Sequence, residues 1–100
     1  MFKGTTPVHT FDVSIDTSLI KEVKITYSQS DNEVLTKRTD DCAIGEGTIS
    51  VSLTQEETFL FESGKLVSIQ VRILTLAGDA LITEPMMMSV AKCLDDEVLV

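Results

Sequence analysis

Val67-Ser68-Ile69-Gln70-Val71-Arg72-Ile73 is the stretch that decides the fold. Four β-branched residues take every second position, and a polar residue stands between each pair. A period of two belongs to strands, and one apolar face opposite one wet face belongs to a strand laid on a core. The same alternation recurs outward in both directions. Phe11, Val13 and Ile15 alternate with Asp12, Ser14 and Asp16; Val23, Ile25 and Tyr27 alternate with Lys24 and Thr26. Ile49, Val51 and Leu53 alternate with Ser50 and Ser52. Shorter strands are expected at Val34-Leu35 and Ala80–Thr83, with a last one over Met86–Cys93, which makes about seven.

Turn-forming residues separate these runs. Ser28–Asn32 is short enough for a hairpin, Asp40-Asp41 opens a loop through Gly45 and Gly47, and Ser63-Gly64-Lys65 introduces the long strand. Ala77-Gly78-Asp79 has hairpin character, and Pro85 marks a bend or a sheet edge. One segment breaks the alternation. Thr54 followed by Glu57 has capping-box spacing, predicting a single helical turn that lets Phe59 or Phe61 plug one end of the core. Many short strands with one such turn point to an all-β, antiparallel β-sandwich with Greek-key, immunoglobulin-like connections.

The chain has 100 residues and 11.0 kDa, the size of one domain. An ordered core is expected over about residues 6–94, followed by a short acidic and then apolar tail over 95–100. Eight basic residues against sixteen acidic ones leave a net charge of −8. That balance argues against nucleic-acid binding, which requires cations along a row of phosphates. No apolar run reaches the ~20 residues of a membrane helix, and no signal-peptide pattern opens the chain. Cys42 and Cys93 form no C-x-x-C pair and read as two thiols, Cys93 as a small core residue.

Lys3-Gly4-Thr5-Thr6-Pro7-Val8-His9-Thr10-Phe11, Asp16-Thr17-Ser18-Leu19-Ile20 and Val23-Lys24-Ile25-Thr26-Tyr27 form an ordered set with two later motifs. These are Leu53-Thr54-Gln55-Glu56-Glu57-Thr58 and Val67-Ser68-Ile69-Gln70-Val71-Arg72. As a set they run over nearly the whole chain, which resembles small proteins encoded in phages and prophages of Gram-positive bacteria. Met86-Met87-Met88 stands where such a sequence more usually shows mixed β-branched residues. The resemblance implies a structural or tail-associated role, synthesis in the host cytoplasm with association to the virion, and other phage structural proteins or further copies of the chain as partners. It carries over no catalytic residues.

The residues themselves offer little chemistry. His9 is the only histidine, and neither a nucleophile elbow nor a papain-like cysteine context accompanies it. Asp12, Ser14 and Asp16 imitate the start of a calcium loop, but Thr17 stands where the loop turns on glycine. Zinc needs more cysteine and histidine than one chain holds. Ser63-Gly64-Lys65 and Gly45-Glu46-Gly47 lack the remainder of any phosphate-binding fingerprint. No enzyme activity, metal, cofactor or small-molecule ligand is expected.

Two features favour protein contacts. Met86, Met87 and Met88 put adaptable apolar side chains on both faces of one strand, where burial in the chain's own fold competes with a sticky face. Val98, Leu99 and Val100 form an apolar end that can add to a neighbour's sheet edge. Two alternatives remain. A host-surface carbohydrate module would need aromatic platforms, of which the chain has only Tyr27 and four phenylalanines. An acidic inhibitor of a host nucleic-acid enzyme would need ranked carboxylates, whereas Asp40-Asp41, Glu56-Glu57 and Asp95-Asp96 are scattered pairs.

Overall fold

A computed structural model describes residues 1–100. Eight strands follow in chain order: β1 (Val8–Asp12), β2 (Ile20–Gln29), β3 (Asn32–Arg38), β4 (Cys42–Gly45), β5 (Thr48–Ser52), β6 (Val67–Thr75), β7 (Ala80–Ile82) and β8 (Met86–Met88). They form two antiparallel sheets. One has the order β1-β5-β4; the other runs β3-β2-β6-β7, with β8 also paired to β6. The chain changes sheet between β1 and β2, between β3 and β4, and between β5 and β6. This is the order of immunoglobulin strands B, C, C′, D, E, F and G, with the edge strand A missing.

The core follows the alternation. Val23, Ile25 and Tyr27 of β2 and Val67, Ile69, Val71 and Ile73 of β6 face inward and are buried, as are Phe11, Ile49, Val51 and Leu53 of the smaller sheet. In immunoglobulin domains the inward position of strand C holds a tryptophan packed on a disulfide. Here the inward aromatic of β2 is Tyr27, fully buried, which leans on Phe61 with the ring centres 5.9 Å apart. Phe61 arrives by the predicted helical turn, α1 (Gln55–Thr58). Thr54 Oγ1 accepts from the Glu57 N–H (3.1 Å), and Glu57 Oε1 accepts from the Thr54 N–H (2.9 Å).

The β2–β3 hairpin turns on Ser30 and Asp31, with φ of 51° and 63°. Two left-handed residues make a type I′ turn, whose twist matches that of the strands.

Several boundaries differ from expectation. The first strand runs over Val8–Asp12 and releases Val13 and Ile15 into the loop, where they still pack on the core. Strand β4, hidden in a sequence that reads as loop, pairs Cys42 with Val51 and Ile44 with Ile49. The final strand stops at Met88 and does not continue to Cys93. Val90 is buried instead, and Ala91 bridges in parallel to Phe2. Pairing therefore begins before Thr6: the Lys3 N–H donates to the Ala91 carbonyl and the Ala91 N–H to that of Met1 (3.1 and 2.8 Å). This crossing is tight at Gly4 (φ +81°), where a Cβ would lie 3.1 Å from the Phe59 ring and 3.3 Å from the Cys93 sulfur. Cys93 is a half-buried thiol at this crossing, not a core residue.

Candidate functional site

The titratable groups of the interior knit the two sheets together. His9 on β1 and Cys42 on β4 both pair with Val51, so all three side chains point toward the larger sheet. His9 Nδ1 and Tyr27 Oη share a hydrogen bond of 2.8 Å. Lys37, inward on β3 and buried, reaches α1 and donates to Glu57 at 2.8 Å. Glu57 thus closes a helix cap and neutralises a buried cation with one carboxylate.

Their protonation follows from this packing. Burial, then the positive chain terminus, lowers the His9 pKa and favours the neutral ring. Burial raises the Tyr27 phenol, and the charges of Cys42 and Glu57 add to that. Burial and then Asp41 raise the Cys42 thiol, opposed by Lys37. A reactive cysteine needs the opposite shift. For Glu57, burial alone pushes upward, but the Lys37 and Thr54 hydrogen bonds and the Lys37 charge outweigh it, and the carboxyl lies below its ordinary range. Asp16, from the calcium-like triplet, is used as a cap and accepts from the Ser18 N–H and hydroxyl. No three His, Cys, Asp or Glu side chains converge.

The other edge of the larger sheet is finished differently. Strands β7 and β8 are two halves of one returning strand: Ile82 faces Arg72, and four residues later Met86 faces Ile69. Pro85 has no N–H for the ladder. Thr83 bridges the gap, its hydroxyl accepting from the Val71 N–H (3.1 Å) and its carbonyl from Gln70 Nε2 (3.0 Å).

The residues predicted for partner contact fall in two places. Met86 and Met88 point inward, opposite Ile69 and Val67, and Met87 points outward, opposite Ser68. Met88 packs on the core, Met86 lies at the rim, and Met87 is 58% exposed. Burial within the fold therefore holds for one methionine of the three. Leu81 and Ile82, the latter 61% exposed, continue the apolar edge. Beside them a shallow gap opens between the sheets, lined by Val13, Ile15, Ile73 and Leu81. The molecule exposes 6288 Å² against roughly 5,600 Å² expected for its mass, an excess to which the exposed tail residues Leu94, Leu99 and Val100 contribute.

Val98, Leu99 and Val100 lie elsewhere, beside α1. Gln55 holds Leu99 by two hydrogen bonds of 2.8 Å, its Nε2 donating to the Leu99 carbonyl and its Oε1 accepting from the Leu99 N–H. The side chains of Leu99 and Val100 remain exposed. Sequence reasoning missed this clamp. It also missed that all three glutamines brace backbone: Gln29 secures Glu62 and Lys65, and Gln70 secures Thr83. A signal was present at Gln29, an amide at an inward position of the β2 alternation.

No helix is long and apolar enough to cross a membrane. Compared with protein-family models, with curated proteins and with solved structures, the chain matches none.

Proposed function

We propose that the chain is a phage- or prophage-encoded structural or accessory protein that works through protein–protein contacts and not through catalysis. The observation that carries this reading is the apolar β7–β8 edge, where Leu81 and Met86 on the inner side and Ile82 and Met87 on the outer side are all left exposed. Exposed patches of this kind mark contact surfaces, and methionine adapts to irregular partners. Pro85 and the shortness of both halves blunt the edge against strand addition, so side chains, more than a backbone ladder, would make the contact. The origin and the tail-associated role rest on the sequence resemblance.

The alternatives draw less support. A module stacking on neutral sugars would use a platform of exposed rings, and the chain exposes only Phe2, with Tyr27, Phe11 and Phe61 inside. Mimicry of nucleic acid calls for an unbroken acidic face, and the larger sheet carries Lys24, Arg38 and Arg72 on its outer face.

The test is mass spectrometry of purified phage particles from an induced host, quantifying this 11.0 kDa chain. A stoichiometric copy number is expected. Absence from particles, with abundance in the infected cytoplasm, overturns the virion role and leaves an assembly helper or a host inhibitor.

A further inference from the structure

The outer face of the larger sheet concentrates positive charge in a chain of net charge −8. Lys24 pairs with Arg38 on one side and with Arg72 on the other, and Arg72 pairs with Ile82. Paired residues point to the same face, so three cations stand in one row across β3, β2 and β6, with an exposed isoleucine at its end. These are the only two arginines of the chain. The two ion pairs of the molecule, Lys37–Glu57 and Lys65–Glu62, leave all three cations without a partner. Glu22 alone among carboxylates lines the hollow of about 310 Å³ that Lys24, Arg38 and Arg72 share. The Asp41 carboxylate beside them accepts from the Arg38 backbone N–H. Like charges directly opposite each other destabilise a sheet, and a row of them calls for an anion.

The chain itself carries the complement. Asp95, Asp96 and Glu97 are consecutive and exposed, and none takes part in an ion pair. Val98 and Leu99 follow at once. Three acids followed by apolar residues match three cations followed by Ile82. The Gln55 clamp on Leu99 fixes the end of this run beside α1, where Asp96 and Val98 share a hollow with Lys3 and Phe59. Held there, the run lines none of the hollow that Lys24, Arg38 and Arg72 share.

We propose that the Arg38–Lys24–Arg72 row, with Ile82, is the receiving half of a head-to-tail contact between copies of this chain, and that Asp95–Leu99 is the giving half. This rests on the protein-contact reading above and names the contact. Because the two halves are different patches, the interface is heterologous, and successive copies build a ring or an open filament instead of a closed two-fold dimer.

Sedimentation and light scattering on the intact chain test this at about 0.05 M and 0.5 M salt, where charges are felt over roughly 14 and 4 Å. Mass should rise with protein concentration at low salt and return to 11.0 kDa at high salt. Two variants sharpen the result. Arg38→Glu with Arg72→Glu makes the row acidic and the net charge −8 − 4 = −12; Asp95→Arg, Asp96→Arg and Glu97→Arg makes the run basic and the net charge −8 + 6 = −2. Each alone should stay monomeric. Mixed, they should associate again, although both remain net negative, because each run then meets a row of opposite sign. All substitutions lie at exposed positions, and circular dichroism confirms that each variant folds. A wild type that is monomeric at both salts overturns the proposal, as does association that survives in either variant alone, or a mixture that stays monomeric. Particles that contain the chain alongside such a result would leave the structural role standing and remove only this contact.

Discussion

Strands β3 and β7–β8 close the same five-stranded sheet on opposite sides, yet their inward side chains meet different fates. On β3, Lys37 extends from the sheet to α1 and ends in an ion pair with Glu57 at 2.7 Å, so that margin is shut by a charge held in place. On β7–β8, Leu81 ends at a shallow gap facing Val13 and Ile15, and Met86 stays partly exposed, with no ion pair closing either. An inward charge on an edge strand disfavours pairing with another sheet; a proline and a short strand do the same without removing apolar side chains from water. The first margin is built for closure. The second is blunted along its backbone but remains adhesive through its side chains.

The largest effect is expected where that closure is removed. Glu57→Ala deletes the partner of a buried lysine and one half of a capping box, and should cost about 3 kcal/mol of stability in urea unfolding. Lys37→Met together with Glu57→Gln keeps an N3 side chain able to cap and leaves no buried charge, so it should lose far less. A double variant as weak as Glu57→Ala would show that the ion pair holds the β3 margin by something other than charge neutralisation. The acid dependence is signed. Glu57 has a folded-state pKa below its ordinary 4.5, so its contribution is complete above that value and is lost as pH falls through the lower one. His9 is also depressed, from 6.5, so the unfolded chain takes up its proton first and stability drops as pH falls below 6.5. Unfolding midpoints across pH should therefore show two descending steps. Glu57→Gln should shrink the lower step, to which Asp16 and Glu62, held low by their own hydrogen bonds, also contribute, and His9→Gln should remove the upper.

Much of this contrast could be read from sequence, and the unread part has a physical reason. The Val67–Ile73 alternation fixes a strand with one buried face because a one-residue slip would invert every side chain. Thr54 and Glu57 fix the helical turn because the capping box is local. Strand β4 was not legible: Cys42-Ala43-Ile44-Gly45 has almost no alternation, and its pairing to β5 is a tertiary event. Nor was the Lys37–Glu57 pair, because sequence gives the lysine on a strand and the glutamate in a cap without the distance between them. The methionine run was legible only as an ambiguity, which the pairing with β6 resolved by turning Met88 inward and Met87 outward. The cation row was the least visible, since Lys24, Arg38 and Arg72 are far apart in the chain and only strand register aligns them.

That methionine pairing supplies the next test. Met88→Ala removes a side chain packed on the core and should cost about 1–2 kcal/mol, below the usual range for a fully buried methionine because Met88 is only partly covered. A cost under half of that would place Met88 in the same exposed class as Met87. The β2–β3 hairpin gives a change of opposite sign. Asp31 has φ of 63°, a conformation that costs a side-chain-bearing residue and not glycine. Asp31→Gly should raise stability by roughly 0.5 kcal/mol, less than the full conformational gain because glycine also loosens the unfolded chain. A decrease would mean that the Asp31 side chain holds the turn.

The smallest effect on stability should accompany the largest effect on contact. Ile82 and Met87 both point outward from the β7–β8 edge and are more than half exposed. Replacing Ile82 with Thr and Met87 with Gln keeps strand propensity at the first site and side-chain length at the second, so unfolding should shift by about 0.5 kcal/mol or less. Incorporation into particles, or capture of partners from an induced lysate, should nevertheless fall by an order of magnitude if these side chains form the contact. The matched control lies on the other margin: Thr36→Ser on the outer face of β3 should leave both readouts unchanged. Equal loss of incorporation at the two margins would mean that the sheet as a whole, and not its apolar edge, meets the partner. Unchanged incorporation at both would remove the β7–β8 edge from the interface.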